Sequence, residues 1–528
     1  MATLSLVRQA AVPSPKGMHI LRSVASNWVR YAFSVGLAFF LAPYVVWHLG
    51  GTGYGVWSLV VSLTGYLGLF DLGVRGAVTR YVARFHAQAD HTRSNEVASA
   101  AMAIFLTTGG VAILVSGVLA IFVLGRLNLP IEYLPEARIV LLLVGSSVAV
   151  SLADGVYGGL LIALQRFDLS NAIEIAGSGL RAVAIVAALS HGFGLITLAS
   201  IHLGYALIRL LANFLLAHKL YPELRVRPWS TDRASLRLIW SFSIFSFLLH
   251  ISLSLIYASD LVVIGAFLPV MAVTFYAIGG SLMDYARALV TSISQTMTPL
   301  ASELEARQNS GRLREIVLQT SSWATMVALP VAITFLIRGS TFIGLWMGPQ
   351  YEEISGKVLR VLSLTIPLWA GFAIVCSSML GISRHKPLVP VALMEGLCNL
   401  ALSVFLVRRI GVVGVAWGTL IPSLAVSALF GPWYLQHTLG VPLRRYMATA
   451  WLKPGIAILP FALLSYGMDR FWPAHNLVLL FLQVALCLPV ACASFWTICL
   501  TSGERSAYSR KFLSIYSRTS TRTLGEAH

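Results

Sequence analysis

Charge is scarce in this chain. Only 11% of its 528 residues are Asp, Glu, Lys or Arg, while 57% are hydrophobic and the mean hydropathy is +0.78. A soluble globular domain carries about 25% charged residues, so the composition is that of a polytopic membrane protein. Acidic residues are the scarcer sign, with 21 Asp and Glu against 38 Lys and Arg, which leaves a formal charge of +17. The surplus is spread between apolar runs instead of gathering on one soluble region, which argues for membrane orientation and against a nucleic-acid partner. Cysteine is also sparse. Cys376, Cys398, Cys487, Cys492 and Cys499 all lie in apolar stretches of the second half, without C-x-x-C spacing. Neither a disulfide framework nor a zinc site follows. There is no D-x-D cluster and no sizeable extramembrane region for sugar chemistry, and Gly356-Lys357 lacks the glycine and hydroxyl neighbours of a phosphate-binding loop. No catalytic residue, metal site or bound cofactor is therefore expected, and the protein is not expected to be an enzyme. Residues 1–22 carry Arg8, Lys16 and Arg22 but no apolar run, so no cleaved signal peptide is expected.

What is present is apolar length. Windows of about 20 residues predict six spans between residues 24 and 217, six between 238 and 435, and a final pair between 454 and 500. The expected fold is all-α, with about fourteen transmembrane helices arranged as two pseudo-repeated six-helix lobes and a C-terminal pair. Its divisions are a cytoplasmic N-terminus (1–23), an N-lobe (24–220), a connector (221–237), a C-lobe (238–440), the extra pair (441–502) and a basic tail (503–528). With this layout 26 Lys and Arg fall on one side, 7 on the other and 5 inside spans. The positive-inside rule then puts both termini in the cytoplasm of a cell whose inner membrane holds the protein.

The stretch Gly51–Phe85 anchors the reading. It crosses the bilayer once and ends at Asp71-Leu-Gly-Val-Arg75, after which Arg75, Arg80 and Arg84 accompany Val78, Tyr81, Val82 and Phe85 at helical spacing. Such a basic amphipathic exit suits an anionic membrane surface. Asp71 is expected to arrange the turn with Gly73 and Arg75. An internal repeat runs at an offset of about 220 residues: Tyr54-Gly-Val-Trp57 pairs with Val273-Thr-Phe-Tyr276, Glu174 with Glu395, and His191-Gly-Phe-Gly194 with Ile410-Gly-Val-Val-Gly414.

Ionisable residues inside spans are costly, about 2.5–3.5 kcal/mol each at a helix centre, and so point to function. The arginines are Arg30, Arg181, Arg209, Arg287 and Arg360. Guanidinium forks bind phosphate oxygens bidentately, which suits an anionic, phosphorylated ligand and makes Arg30, Arg181, Arg209 and Arg287 the substrate candidates. Each has a plainer reading. Arg30 and Arg209 are near enough to a cytoplasmic end to snorkel, Arg181 shares a helix face with Glu174, Arg287 follows Asp284 by three residues, and Arg360 reads as an interfacial anchor. Among the acids, Asp260 lies deep in an apolar helix as a candidate for H+ or Na+ coupling or as a structural partner, with Glu174, Glu395 and Asp154 as weaker coupling candidates.

The run Leu49-Gly-Gly-Thr-Gly-Tyr-Gly-Val-Trp57 through Leu69-Phe-Asp-Leu-Gly73, with Asp260-Leu-Val-Val-Ile-Gly265, Phe275-Tyr276 and Pro299-Leu-Ala-Ser-Glu303, resembles the oligosaccharide flippases of polysaccharide biosynthesis. These belong to the multidrug/oligosaccharidyl-lipid/polysaccharide exporter superfamily. The resemblance implies a secondary transporter that moves an undecaprenyl-diphosphate-linked oligosaccharide from the cytoplasmic to the periplasmic leaflet by alternating access. It also implies membrane lipids, a polysaccharide polymerase and glycosyltransferases as partners, in the making of O-antigen, capsule or exopolysaccharide. A cation-coupled multidrug antiporter of the same superfamily is the alternative, followed by a membrane polymerase and a non-transporting scaffold.

Overall fold

The computed structural model describes residues 15–229, 231, 233–506 and 509. Of the expected basic termini, Arg8, Arg510, Lys511, Arg518 and Arg522 lie outside the described residues, as do the side chains of Lys16 and Arg22. Among the described residues every regular element is helical. Apolar runs in lipid leave a backbone no partner but itself, and the helix satisfies it within one segment.

One compact unit takes the described residues up to Ala277 together with Ala392–Leu400. It contains α1 (Pro15–Gly65), α2 (Val74–Ala87), α3 (His91–Val118), α4 (Leu134–Ala163), α5 (Phe167–Ser190), α6 (Leu195–Leu220), α7 (Arg233–Tyr257) and α8 (Ser259–Phe267). α9 (Met271–Ser294) begins in this unit. α4 packs against α2, α3 and α6, and α5 lies against α1 and α6. The other unit takes Ile278–Val391 and the described residues from Ala401 onward. Its helices are α10 (Met297–Ala306), α11 (Ser310–Met347), α12 (Pro349–Ser363), α13 (Ile366–Gly381), most of α14 (Leu388–Ile410), α15 (Val412–Ala425), α16 (Gly431–Leu439), α17 (Leu443–Met447), α18 (Lys453–Ala457), α19 (Leu459–Phe471) and α20 (Leu477–Ile498). α11 is its packing axis, touching α12, α13, α19 and α20.

Ten helical stretches among the described residues are long and apolar enough to span a membrane, or twelve if each of two bent pairs is one span. The expected fourteen are not confirmed, for physical reasons. α1 runs for 51 residues through the first two expected spans, interrupted only at Gly50 (φ 67, ψ 168), a backbone conformation that suits glycine. The stretch Val29–Ala87 therefore qualifies as one span. α9, the expected eighth span, carries Asp284 and Arg287 and is not among the qualifying stretches.

Two local expectations meet a different structure. The basic exit α2 buries Val78, Tyr81, Val82 and Phe85 in a core shared with Val97, Phe105, Val156 and Leu160, so its apolar face is spent on protein instead of lipid. The stretch Arg338–Lys357, whose polar residues between two apolar runs read as one of the longest outer loops, is helical, with α11 running on to Met347 and α12 starting at Pro349. Arg338 is 1% exposed and pairs with Asp469 of α19 at 3.4 Å. The connector, on whose packing the sequence is silent, is tied to the first unit. Tyr221 and Leu224 are buried in the α2–α3–α4 core, and α3 holds the extended chain between them and Arg227. Asn95 donates from Nδ2 to the Glu223 carbonyl at 2.9 Å and accepts the Arg225 amide at 2.9 Å. Ser99 accepts the Arg227 amide at 2.8 Å and donates to the Arg225 carbonyl at 3.4 Å.

The turn after the second span behaves as expected. Leu72 (φ 52) and Gly73 (φ 78) interrupt the helix, and Asp71 accepts the Arg75 amide at 3.4 Å while its other oxygen pairs with Arg75 Nε at 3.4 Å. Elsewhere glycine permits close helix approach, the usual device of membrane interfaces. A Cβ on Gly55 would fall 2.3 Å from the Val270 carbonyl oxygen, a backbone atom with little freedom to retreat. Gly55→Ala is expected to cost about 1–3 kcal/mol, read as a lower thermal midpoint in detergent. Gly204→Ala, where a Cβ meets nothing within 4 Å, should leave it unchanged or slightly raised.

Candidate functional site

The first unit brings two arginines and two carboxylates onto one face built by α4, α5 and α6. Arg209 of α6 is 20% exposed and places Nε 3.0 Å from Asp154 Oδ2 of α4. The contact is a close ion pair off the hydrogen-bond axis, since Arg209 Nε makes no aligned hydrogen bond. Its Nη1 reaches Glu174 Oε2 of α5 at 3.5 Å. Asp154 is 4% exposed, and its other oxygen accepts from Asn213 Nδ2 at 2.7 Å. Arg209 and Asn213 share a face of α6 because they are four residues apart. Gly158 lies beside them, its Cβ position 3.6 Å from Asn213 Nδ2 and 3.9 Å from Asp154 Oδ2, ordinary contact distances that an alanine would also satisfy.

Beside this triad stands an aromatic plate. The Arg181 guanidinium lies 5.0 Å from the Tyr205 ring centroid and that of Arg209 5.9 Å, so one tyrosine carries two arginines by cation–π attraction. The ring presses on α5 where Gly177 has no side chain, since a Cβ there would be 2.6 Å from Tyr205 Cε2. One turn before Tyr205 on α6, His202 meets Trp57 edge-on at 6.4 Å. Because every residue of a helix adds the same rise, position along each helix orders these groups by depth. Glu174 is nearest the end where α4 turns into α5 and α6 into the connector, Asp154 and Arg209 lie further in, and Arg181 is deepest. The face is thus a graded run of charge inside candidate spans, with two arginines and two carboxylates.

The structure therefore brings together Arg181, Arg209 and Glu174 of the sequence candidates. Glu174 pairs across to α6 instead of along its own helix to Arg181, and Arg209 is buried against carboxylates instead of snorkelling. Arg181 has no ion-pair partner among the described residues. Arg30 is half-buried on α1, one turn ahead of Phe33, whose ring comes within 3.5 Å of the Gly179 Cβ position on α5. The remaining candidates lie apart from this cluster. Arg287 belongs to the second unit, where it pairs with Asp284 at 3.2 Å. Asp260 is buried in the first turn of α8, where a helix N-terminus favours negative charge, and accepts from the Tyr276 hydroxyl. The 42° bend between α7 and α8 frees carbonyls there; Ser62 caps that of Ala258 at 2.7 Å and Asn399 that of Ile256 at 3.2 Å. Glu395 lies one turn before Asn399 on α14 and is half-buried. Arg360 is exposed on α12.

Sequence reasoning missed Tyr205, Asn213, His202 and Trp57, and ranked Asp154 low. A usable signal was the spacing of Tyr205, Arg209 and Asn213, three polar residues at successive i+4 positions of an apolar helix, which places them on one stripe.

The chain is similar to a putative O-antigen transporter of Shigella flexneri, 21% identical over 406 residues, which are 76% of this chain and 94% of the relative. Among solved structures it resembles the lipid II flippase MurJ in an inward closed conformation, with a TM-score of 0.66, 14% identity, and coverage of 90% of this chain and 99% of MurJ. It also resembles an inward-facing multidrug resistance MATE family transporter of the MOP superfamily, with a TM-score of 0.65, 16% identity, and coverage of 79% and 95%. These structural likenesses establish the fold, a polytopic all-helical membrane protein. The family model described as polysaccharide biosynthesis protein matches residues 54–356, more than half of the chain and the whole of the charged face, and the chain accordingly belongs to the polysaccharide biosynthesis protein family.

Proposed function

We propose that the protein is a flippase for an undecaprenyl-diphosphate-linked oligosaccharide, moving it from the cytoplasmic to the periplasmic leaflet of a bacterial inner membrane for cell-surface polysaccharide. The observation that carries this reading is the pair Arg181 and Arg209 on one Tyr205 ring, inside candidate spans, with Arg181 lacking a counter-ion among the described residues. Guanidinium groups held side by side suit a diphosphate, and an aromatic plate beside them suits the face of a sugar ring. The family supports the same class of cargo, as does the O-antigen transporter among the relatives. The protein works by alternating access of an N-lobe (24–220) and a C-lobe (238–440), with both termini cytoplasmic and Arg30 and Arg287 as further cationic contacts along the path. Coupling to H+ or Na+ falls to Asp260, Glu174 or Glu395, and a polymerase and glycosyltransferases act on the same lipid-linked unit. A cation antiporter fits less well, because the buried carboxylate Asp154 is already occupied by Arg209 and Asn213.

Complementation in a strain lacking its own flippase tests the reading. Arg30→Ala and Arg181→Ala are each expected to lower polysaccharide export severalfold at unchanged membrane abundance. Arg209→Ala and the triple variant, which leave the buried Asp154 without its cation, are compared per molecule in the membrane, where the triple variant is expected to abolish export. Normal export by the triple variant overturns the proposal.

A further inference from the structure

Arg209 stands between two carboxylates that are not equivalent. Asp154 is buried at 4% exposure, 3.0 Å from Nε, and its second oxygen is held by Asn213 at 2.7 Å. Glu174 is 33% exposed and reaches Nη1 at a looser 3.5 Å. Asp154 is locked by a neighbour on each oxygen, whereas Glu174 hangs from α5 by a flexible side chain at the open side of the pair. Arg181 completes the asymmetry, lying on the same Tyr205 ring without a carboxylate among the described residues.

From this asymmetry, and resting on the reading of the face as a diphosphate site, the geometry points to Glu174 as a displaceable counter-ion: the lipid-linked diphosphate takes its place on Arg209, and the released carboxylate takes up one proton from water. A diphosphate bridges Arg181 and Arg209 together, which a single glutamate held to Arg209 does not, and so it wins the exchange. Once displaced, Glu174 faces the bound anion. Like charges at short range favour the neutral acid, so a proton enters as the ligand binds and leaves when Glu174 returns to Arg209. The surrounding charged and titratable groups are Asp154 on α4, Arg181 on α5, His202, Tyr205 and Arg209 on α6, and Arg30 and Tyr31 on α1. In the empty site Asp154 and Glu174 offset the charges of Arg181 and Arg209, and binding is linked to protons at one residue.

Binding of geranyl diphosphate to the purified full-length protein in nanodiscs, measured calorimetrically from pH 6 to 8.5 for wild type, Glu174→Gln and Arg181→Gln, tests this. At pH 8, Glu174→Gln is expected to bind about tenfold tighter than wild type, and the ratio of the two affinities to shrink towards one as pH falls, because protonation of Glu174 makes wild type resemble the variant. Taking the ratio cancels titration of the ligand itself. Arg181→Gln, which breaks no described ion pair, is expected to weaken binding at least tenfold. If Arg181→Gln binds as wild type does, the diphosphate site itself is wrong. If Arg181→Gln weakens binding while Glu174→Gln is no tighter than wild type, or is tighter by the same factor at every pH, the site stands and the exchange is overturned. Equal thermal midpoints for Glu174→Gln and wild type confirm that the comparison reads binding.

Discussion

Asp469→Ala is expected to be among the most damaging single substitutions in the second unit. Asp469 is the carboxylate that meets Arg338, and Arg338 is 1% exposed within α11, with no aligned hydrogen bond from Nε or Nη2. Arg338 is tolerable out of water because the part-exposed Asp469 meets it; left without that carboxylate it is not. Removing one partner of a buried pair costs about 3–5 kcal/mol, whereas replacing both by apolar groups of similar volume is near neutral or stabilising. Asp469→Ala should therefore lower the detergent thermal midpoint and the membrane abundance sharply. Asp469→Ala combined with Arg338→Met should recover most of both. The site lies where Met326, Leu329, Phe461 and Cys487 form an apolar cluster between α11, α19 and α20, so the methionine has matching neighbours. A double variant as unstable as the single one would show that the pair does more than neutralise itself.

Asp154→Ala is expected to follow closely, at about 3 kcal/mol, the lower end of the same range, because Arg209 keeps Glu174 as a second carboxylate. The substitution also strips Asn213 Nδ2 of its acceptor at 2.7 Å, leaving a buried amide unpaired. Glu174→Gln, by contrast, removes a looser, part-exposed contact and should change stability by less than about 1 kcal/mol. Chemical unfolding in SDS–detergent mixtures separates the two. A double-mutant cycle of Asp154→Ala with Arg209→Met should show strong coupling, since the residues touch. Equal costs for Asp154→Ala and Glu174→Gln would contradict the ranking drawn from their burial.

The contrast between these pairs shows what a single sequence reveals. The helices were legible because their apolar runs are long and uninterrupted, and the turn at Asp71-Leu72-Gly73 was legible because every group that makes it is within four residues. Arg338 was not. Followed by Gly339, Ser340 and Thr341, it reads as the start of an outer loop, and the residue that keeps it in a buried helix is far along the chain, on α19. Arg209 failed in the same manner: its distance from Lys219 suggested an interfacial side chain, while its partners come from two other helices. Glu174 was placed beside Arg181 by helical period, yet it turns to α6, where Tyr205 fills the space left by Gly177. Local rules predicted positions along helices, and the partners that neutralise charge across helices lie beyond their reach.

The connector also constrains the length of the chain. Asn95 and Ser99 are one helical turn apart, about 6 Å along α3, and successive backbone groups they hold are two extended residues apart, about 6.6 Å. The two repeats match over this stretch, so each side chain of α3 meets a carbonyl and an amide in step. A single residue inserted between Glu223 and Arg225 would put the Glu223 carbonyl and the Arg225 amide out of step at Asn95, and one inserted between Arg225 and Arg227 would do the same at Ser99. Residues 223–227 are thus a ruler cut to fit, where insertions and deletions are poorly tolerated.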